Sequence, residues 1–315
     1  MPIPKSEFIW MNGELVKWDD AKIHVLSHVV HYGSSVFEGQ RVYKTDKGSV
    51  AFRLHDHSTR LIRSAKIYRM EIPYTAEEID AAILNLVAVN GLEACYVRPI
   101  AYRGFESLGV DPSPCPVDLT IAVWPWGAYL GEEALEKGAS VCFSSWNRLA
   151  PNTMPAMAKS GANYMNAQLI KLEAIANGYD EGIGLDRNGF VSEGSAQNFF
   201  LVIDKHLYTP TVASSILSGI TRDCVIKLAR SMGYEVTEMA MPREMVYGAD
   251  EAFFSGSAAE ITPVSRVDQI PIGTGKRGPI TNELRKAFFD IIEGRAEDKW
   301  KWLTYVPARQ EAATK

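Results

Sequence analysis

The sequence predicts an α+β chain of two domains, and three observations carry that expectation. The chain has 315 residues, more than one hydrophobic core comfortably serves. Apolar residues make up 46% and charged residues 23%, the balance of a folded soluble chain rather than a disordered one. Helical and hairpin patterns then mix with no regular βαβ alternation, which argues against a doubly wound sheet.

The elements follow in order. The first strand signal is 8–16, centred on Asn12-Gly13, a dipeptide suited to a tight hairpin because both turn residues need positive φ. A helix is predicted over 54–68, with Leu54, Leu61, Ala65 and Tyr68 on one face. A second covers 76–90. Thr75 and Glu78 make a capping box, and Ile79, Ile83, Leu86, Val87 and Asn90 repeat at helical spacing. Residues 94–103 alternate as a strand, with Tyr96, Arg98, Ile100 and Tyr102 on one face. Pro99 lacks a ladder donor and so points to an edge or a bulge. A buried strand over 118–124 gives way to Pro125, Gly127 and Gly131. We put the linker near 124–135, between a smaller domain (1–130) and a larger one (131–315). In the second, strands are predicted at 139–145, 181–186, 189–193, 197–203 and 251–255. Helices are predicted at 163–177, 220–232 and 279–293. Gly178 and Gly233 fall where helix C-caps need positive φ. The last dozen residues read as a solvated tail.

Composition excludes several function classes. A net charge of -5 with interspersed signs gives no basic footprint for nucleic acid. No apolar run reaches the roughly 18 residues a membrane span needs, and the N-terminus has no apolar signal core, so a cytoplasmic protein is expected. Cys95, Cys115, Cys142 and Cys224 form no CxxC pair and read as buried reduced thiols. No GxGxxG, Walker A, HExxH or GxSxG pattern occurs, and the six histidines lack metal-ligand spacing, so no metal is expected.

Four segments carry candidate chemistry. Lys159 lies in Ala156-Met-Ala-Lys-Ser-Gly-Ala-Asn-Tyr164, where small residues surround one lysine just before a helix. A lysine that forms a Schiff base needs room for a planar ring and surroundings that lower its pKa, although a lone lysine in such a loop is more often simply solvated. Glu193 follows the Asn188-Gly189 turn; a carboxylate beside a pyridine nitrogen keeps that nitrogen protonated, although alone such a glutamate is more often a solvated charge at a strand end. Leu217-Ser-Gly-Ile-Thr-Arg-Asp223 opens a helix, whose free N–H groups and dipole favour a phosphate. Phe254-Ser-Gly-Ser-Ala-Ala-Glu260 ends a strand in small residues and offers a second anion nest or a plain turn. Arg60 on its helix and Arg98 beside Tyr96 are further anion candidates; alone, each is an ordinary ion-pair partner.

Taken together, His31-Tyr-Gly-Ser-Ser-Val-Phe-Glu-Gly-Gln-Arg41, Tyr96-Val-Arg-Pro99, Ala158-Lys-Ser-Gly-Ala-Asn-Tyr164, Glu193-Gly-Ser-Ala-Gln-Asn198, Gly219-Ile-Thr-Arg222 and Ser255-Gly-Ser-Ala-Ala-Glu-Ile-Thr-Pro263 resemble the fold-type IV enzymes that depend on pyridoxal 5'-phosphate (PLP). Within that group they resemble branched-chain amino acid aminotransferases. The match runs from about residue 8 to 303 in the family's order.

The resemblance implies a two-domain fold like that of D-amino acid aminotransferase, with PLP at the domain interface. It implies that Lys159 is the catalytic residue, holding the cofactor and shuttling a proton. Glu193 would pair with the pyridine nitrogen and Tyr164 with the phenolic oxygen. Arg60, Ile220, Thr221 and Ser257 would bind the phosphate, with Leu217, Gly219 and Gly256 completing the cofactor site. Tyr96 and the backbone of Ser257 and Ala258 would receive the substrate α-carboxylate. Tyr32, Phe37, Val110, Trp126, Tyr129 and Tyr164 would line the side-chain pocket, and Arg98 would meet the γ-carboxylate of glutamate. The substrates implied are leucine, isoleucine or valine with 2-oxoglutarate. The loop near Leu108 to Val110 would reach a neighbouring subunit, which implies a homo-oligomer, a dimer or a trimer of dimers. Two positions depart from the pattern: Ser257 replaces a threonine, and Gln40 replaces a branched residue, where it is expected to alter the edge of the site. The alternatives left open are a D-amino acid or (R)-amine aminotransferase, an aminodeoxychorismate lyase, and a non-catalytic PLP-binding protein.

Overall fold

The computed structural model of the protein describes residues 3–126 and 137–308. In chain order the elements are β1 (Phe8–Met11), β2 (Glu14–Lys17), α1 (His28–Tyr32), β3 (Ser35–Phe37), β4 (Gln40–Thr45), β5 (Gly48–Phe52), α2 (Leu54–Ile67), α3 (Ala76–Val89), β6 (Cys95–Arg103) and β7 (Val117–Trp124). There follow β8 (Ala139–Phe143), α4 (Tyr164–Ala176), β9 (Glu181–Leu185), β10 (Phe190–Gly194), β11 (Asn198–Ile203), β12 (His206–Pro210), α5 (Ile220–Ser231), β13 (Val236–Met239), β14 (Met241–Pro242), α6 (Arg243–Tyr247), β15 (Glu251–Gly256), β16 (Glu260–Val267), β17 (Ile270–Pro271), α7 (Pro279–Ile292) and β18 (Leu303–Tyr305).

These form two compact units. The first takes the described residues of 1–126, 158–162 and 291–315, and the second those of 127–157 and 163–290. A single cut near residue 130 therefore does not describe the division. The five residues around Lys159 pack with the first unit, because Ser160 bridges Val36 and the Phe37 N–H donates to the Lys159 carbonyl (2.9 Å). The chain end also returns to the first unit. There β18 pairs with β5, so Thr304 and Tyr305 are strand rather than the start of a tail.

The first unit holds a sheet in the order β18-β5-β4-β6-β7-β1-β2, with β3 also on β6. Asn12 and Gly13 have φ of 47° and 99°, the left-handed turn the β1–β2 hairpin requires. Helix α3 starts with the reciprocal Thr75–Glu78 capping box. Its Ile79, Ile83, Leu86 and Val87 join Leu54, Leu61 and Ala65 of α2 in one core with Val97, Leu119, Ile121 and Val123 of the sheet. Strand β6 is central, not an edge. Its Pro99 lies opposite the gap between β3 and β4, where the Glu38 N–H donates to the Pro99 carbonyl (2.9 Å) and no return bond is possible.

The second unit holds a sheet in the order β13-β12-β11-β15-β16-β8-β9-β10-β14, with β17 on β16. Its central strands are buried on both faces, which explains the unbroken apolar runs. Phe200 stacks on Phe253 (centroids 4.9 Å apart), and Phe199 packs on Phe254 (5.5 Å), each a directly opposed cross-strand pair. Strands β8 and β9 are parallel, so a long crossover must join them, and that crossover carries Lys159 and α4. All four cysteines are buried and free.

Candidate active site

In the first unit, the Lys159 backbone is fixed on both sides. Its N–H donates to Ser64 Oγ on α2 (3.1 Å), and its carbonyl accepts from Phe37 on β3. Its Nζ lies 5.0 Å from the centroid of the Phe37 ring. The β6 face that was expected to carry Tyr96 and Arg98 together does so. The Arg98 guanidinium carbon stands 4.7 Å from the Phe37 ring and 5.3 Å from the Tyr96 ring. Trp124 and Trp126 close around Tyr96, with ring centroids 5.3 and 4.8 Å away. The buried Arg98 Nε and the Trp124 and Trp126 indole nitrogens have no hydrogen-bond partner among the described residues, so this face presents donors that an anion would satisfy.

Arg60 projects from α2, and its guanidinium is gripped by Glu38 through Nε–H to Oε1 (2.6 Å) and Nη2–H to Oε2 (2.8 Å). Tyr32 and Val110 are exposed, Val110 to 88%. The loop bearing Val110 is pinned by His28, whose Nε2 donates to the Gly109 carbonyl (2.8 Å) while Nδ1 accepts from Ser34 (2.7 Å). Tyr129 lies outside the described residues.

Gln40 does not stand on the substrate-candidate face. It pairs with Val97, and Arg41 pairs with Tyr96, so the pleat turns the Gln40 side chain away from Tyr96 and Arg98. It is buried, and both amide atoms lack hydrogen-bond partners among the described residues.

In the second unit, Glu193 ends β10 as a buried carboxylate. Arg148 Nη2–H donates to its Oε1 (2.6 Å), and Asn198 Nδ2–H (3.0 Å) and the Leu217 N–H (3.2 Å) donate to Oε2. Asn198 also donates to the Leu217 carbonyl (2.9 Å), which ties the strand carrying the carboxylate to the segment that opens α5. That helix begins at Ile220 with Gly219 as its N-cap and no side-chain cap, and buried Thr221 stands in its first turn. Gly219 is needed for space, because a Cβ there would collide with Asn198 Oδ1. Gly256 ends β15, Ser257 and Ala258 form the turn into β16, and Tyr164 opens α4.

These residues fit pyridoxal phosphate. A buried carboxylate held by Arg148 suits a protonated ring nitrogen. A twelve-residue helix whose start has no side-chain cap suits a phosphate. A lysine with its backbone locked at both sides suits an aldehyde partner.

Residues 35–267 match the family described as amino-transferase class IV, most of the chain. The chain belongs to the class IV aminotransferases. This class IV aminotransferase is 50% identical over 307 residues to the "Branched-chain-amino-acid aminotransferase" of Escherichia coli (strain K12), covering 97% of this chain and 99% of that one. Its fold matches the crystal structure of the Escherichia coli branched-chain amino acid aminotransferase with a TM-score of 0.95 at 50% identity, over 96% of this chain and 100% of that one. The branched-chain amino acid aminotransferase of Thermobaculum terrenum, in its PLP-bound holo form, matches with a TM-score of 0.89 at 35% identity, over 96% of this chain and 99% of that one.

Sequence reasoning missed Glu38, His57, Ser64, Arg148 and Asn198 as partners of these groups. Glu38 and Asn198 lay inside motifs already singled out. Arg148 follows Trp146-Asn147, and no local spacing marks it as the partner of a residue 45 positions later.

Proposed function

We propose that the protein transfers amino groups from leucine, isoleucine or valine to 2-oxoglutarate, giving the branched-chain 2-oxo acids and glutamate, with pyridoxal phosphate as cofactor. Identity of 50% to curated branched-chain enzymes over nearly the full chain carries this reading. When bound, the cofactor would supply an aldehyde to carry the amino group and a ring to delocalise electrons from the substrate α-carbon.

The chain's own residues supply the rest. Lys159 is the catalytic residue: its Nζ holds the cofactor aldehyde and moves the proton at the substrate α-carbon. Glu193 keeps the ring nitrogen protonated, and Tyr164 hydrogen-bonds the phenolic oxygen. Arg60, Thr221, the α5 N–H groups at Ile220 and Ser257 hold the phosphate. Ser257 keeps the hydroxyl of the threonine it replaces. Leu217, Gly219 and Gly256 leave room for the ring and phosphate. Tyr96, with the N–H groups of Ser257 and Ala258, receives the α-carboxylate.

One pocket must take both an apolar side chain and a γ-carboxylate. Phe37 and Trp126, with Tyr32 and Val110, suit the first. The donors at Arg98, Trp124 and Trp126 that find no partner among the described residues suit the second. The exposed apolar side chains of Val25, Val30, Phe105, Leu108 and Val110 support a homo-oligomer, at least a dimer, in which this surface meets a second copy. A cytoplasmic location rests on the sequence reading alone.

The test is spectroscopic and kinetic. Purified protein should turn yellow with pyridoxal phosphate, and borohydride should fix the cofactor to Lys159. Lys159→Ala should lose that absorbance and at least about a thousandfold of activity. A panel of L- and D-amino acids and (R)-amines with 2-oxoglutarate should show turnover with L-leucine, L-isoleucine and L-valine. Turnover confined to D-amino acids or (R)-amines would overturn the substrate assignment.

A further inference from the structure

Opposite Pro99 in the first sheet stands Glu38, whose side chain joins Arg60 and His57 in a charged cluster. Glu38 is fully buried, yet four donors reach it: Arg60 Nε–H (2.6 Å), Arg60 Nη2–H (2.8 Å), His57 Nδ1–H (2.7 Å) and, at the long limit, the Gly39 N–H (3.3 Å). Burial alone would raise the Glu38 carboxyl, but Arg60 and His57 outweigh it and hold the group well below the usual carboxylate range. Burial pushes His57 down, so it is a neutral imidazole donating through Nδ1. The cluster is thus one carboxylate, one guanidinium and one neutral ring, with no net charge.

His57, Arg60 and Ser64 recur at i, i+3 and i+7 on one face of α2. The last of them anchors the Lys159 N–H. One helix face therefore fixes both the lysine backbone and the Arg60 head group. An arginine has many rotamers, and a bidentate carboxylate that occupies Nε and Nη2 reduces them to one orientation of the planar fork.

We propose that Glu38, locked by His57, is a positioning residue that pre-orients Arg60 for the cofactor phosphate; this rests on the assignment of Arg60 to that phosphate made above. The gain is organisational: the guanidinium is fixed before the phosphate arrives, so less freedom is lost on binding. Because Glu38 also cancels the Arg60 charge, a pure charge role would make its removal tighten phosphate binding, whereas a positioning role makes removal weaken it.

The experiment is a titration of the full-length protein, stripped of cofactor, with pyridoxal phosphate and separately with pyridoxal, which lacks the phosphate. Glu38→Gln should weaken pyridoxal phosphate binding roughly tenfold, in line with supporting partners of liganding groups, and leave pyridoxal binding within about twofold. In an Arg60→Lys background, Glu38→Gln should add no further loss, because the fork it orients is gone. Glu38→Asp, which keeps the charge but draws the carboxylate back from Arg60 by one methylene, should also weaken pyridoxal phosphate binding more than pyridoxal binding and serves if Glu38→Gln is poorly folded. Equal weakening toward both ligands, tighter pyridoxal phosphate binding, or an undiminished loss in the Arg60→Lys background overturns the proposal. If Arg60→Lys alone leaves both ligands unaffected, the phosphate assignment of Arg60 fails first, and that arm shows it independently.

Discussion

Arg148 Nη2 lies 2.6 Å from Glu193 Oε1, and both side chains are almost wholly removed from solvent. The pair joins the start of the β8–β9 crossover to the end of β10, with the other Glu193 oxygen shared between Asn198 and the Leu217 N–H. A carboxylate so enclosed has its orientation fixed by three donors.

Breaking that pair from one side strands the other charge. Arg148→Met is expected to destabilise the protein by about 3–5 kcal/mol, more than a surface arginine of the same size. Urea unfolding of the variant measures it; a loss under about 1 kcal/mol would show that water reaches Glu193 and relieves it.

The Glu38–His57 pair makes stability depend on acid. Glu38 is held low in the folded state, so its contribution is complete above the unfolded carboxylate value, about 4.3, and is lost as pH falls toward the folded value. His57 is also held low, so the unfolded chain takes up its proton first, and stability begins to fall below about pH 6.5. Both effects have the same sign. Unfolding free energy should drop between about pH 7 and pH 5 in the wild type and drop less in His57→Asn. Parallel curves for the two proteins would exclude His57 as a source.

Gly219→Ala should damage the second unit's site through packing rather than charge. Its new Cβ would run into Asn198 Oδ1 and push the side chain that steadies Glu193 and the Leu217 carbonyl. A cost of about 1–3 kcal/mol is expected, together with weaker retention of pyridoxal phosphate on dialysis. Wild-type retention would mean that Asn198 yields without consequence.

Thr75→Ala separates stability from activity. It removes the side chain that accepts the Glu78 N–H and so dismantles the α3 capping box. About 1 kcal/mol of stability should go, read from the thermal midpoint, while turnover with leucine stays at the wild-type rate. A changed rate would link α3 to the site.

Local structure was largely legible in the sequence. Helices α2, α3, α4, α5 and α7 fall within about two residues of their predicted bounds, because apolar spacing and caps such as Thr75 and Gly233 are local signals. Several strands escaped: β3, β4, β5, β12, β13, β14, β16, β17 and β18 owe their state to neighbours that supply a ladder; most are short, and the eight-residue β16 reads as strand only through its pairing with β15 and β8. Pro99 shows the same limit. Its missing donor was readable, but its place in a central strand was not, since that depends on where Glu38 falls opposite it.

The sequence by itself determined the inventory: one lysine among small residues, a carboxylate after a tight turn, an uncapped helix start and an alternating Tyr96–Arg98 strand. These follow from residue types at short range. Only the tertiary structure decided the partnerships. It drew Lys159 into the first unit against Phe37 and Ser64, gave Glu38 to Arg60 and His57, set Arg148 on Glu193, and turned Gln40 away from Arg98. Each depends on which strands become neighbours and in what register, and that is set by burial of the whole apolar surface, a property no single segment contains.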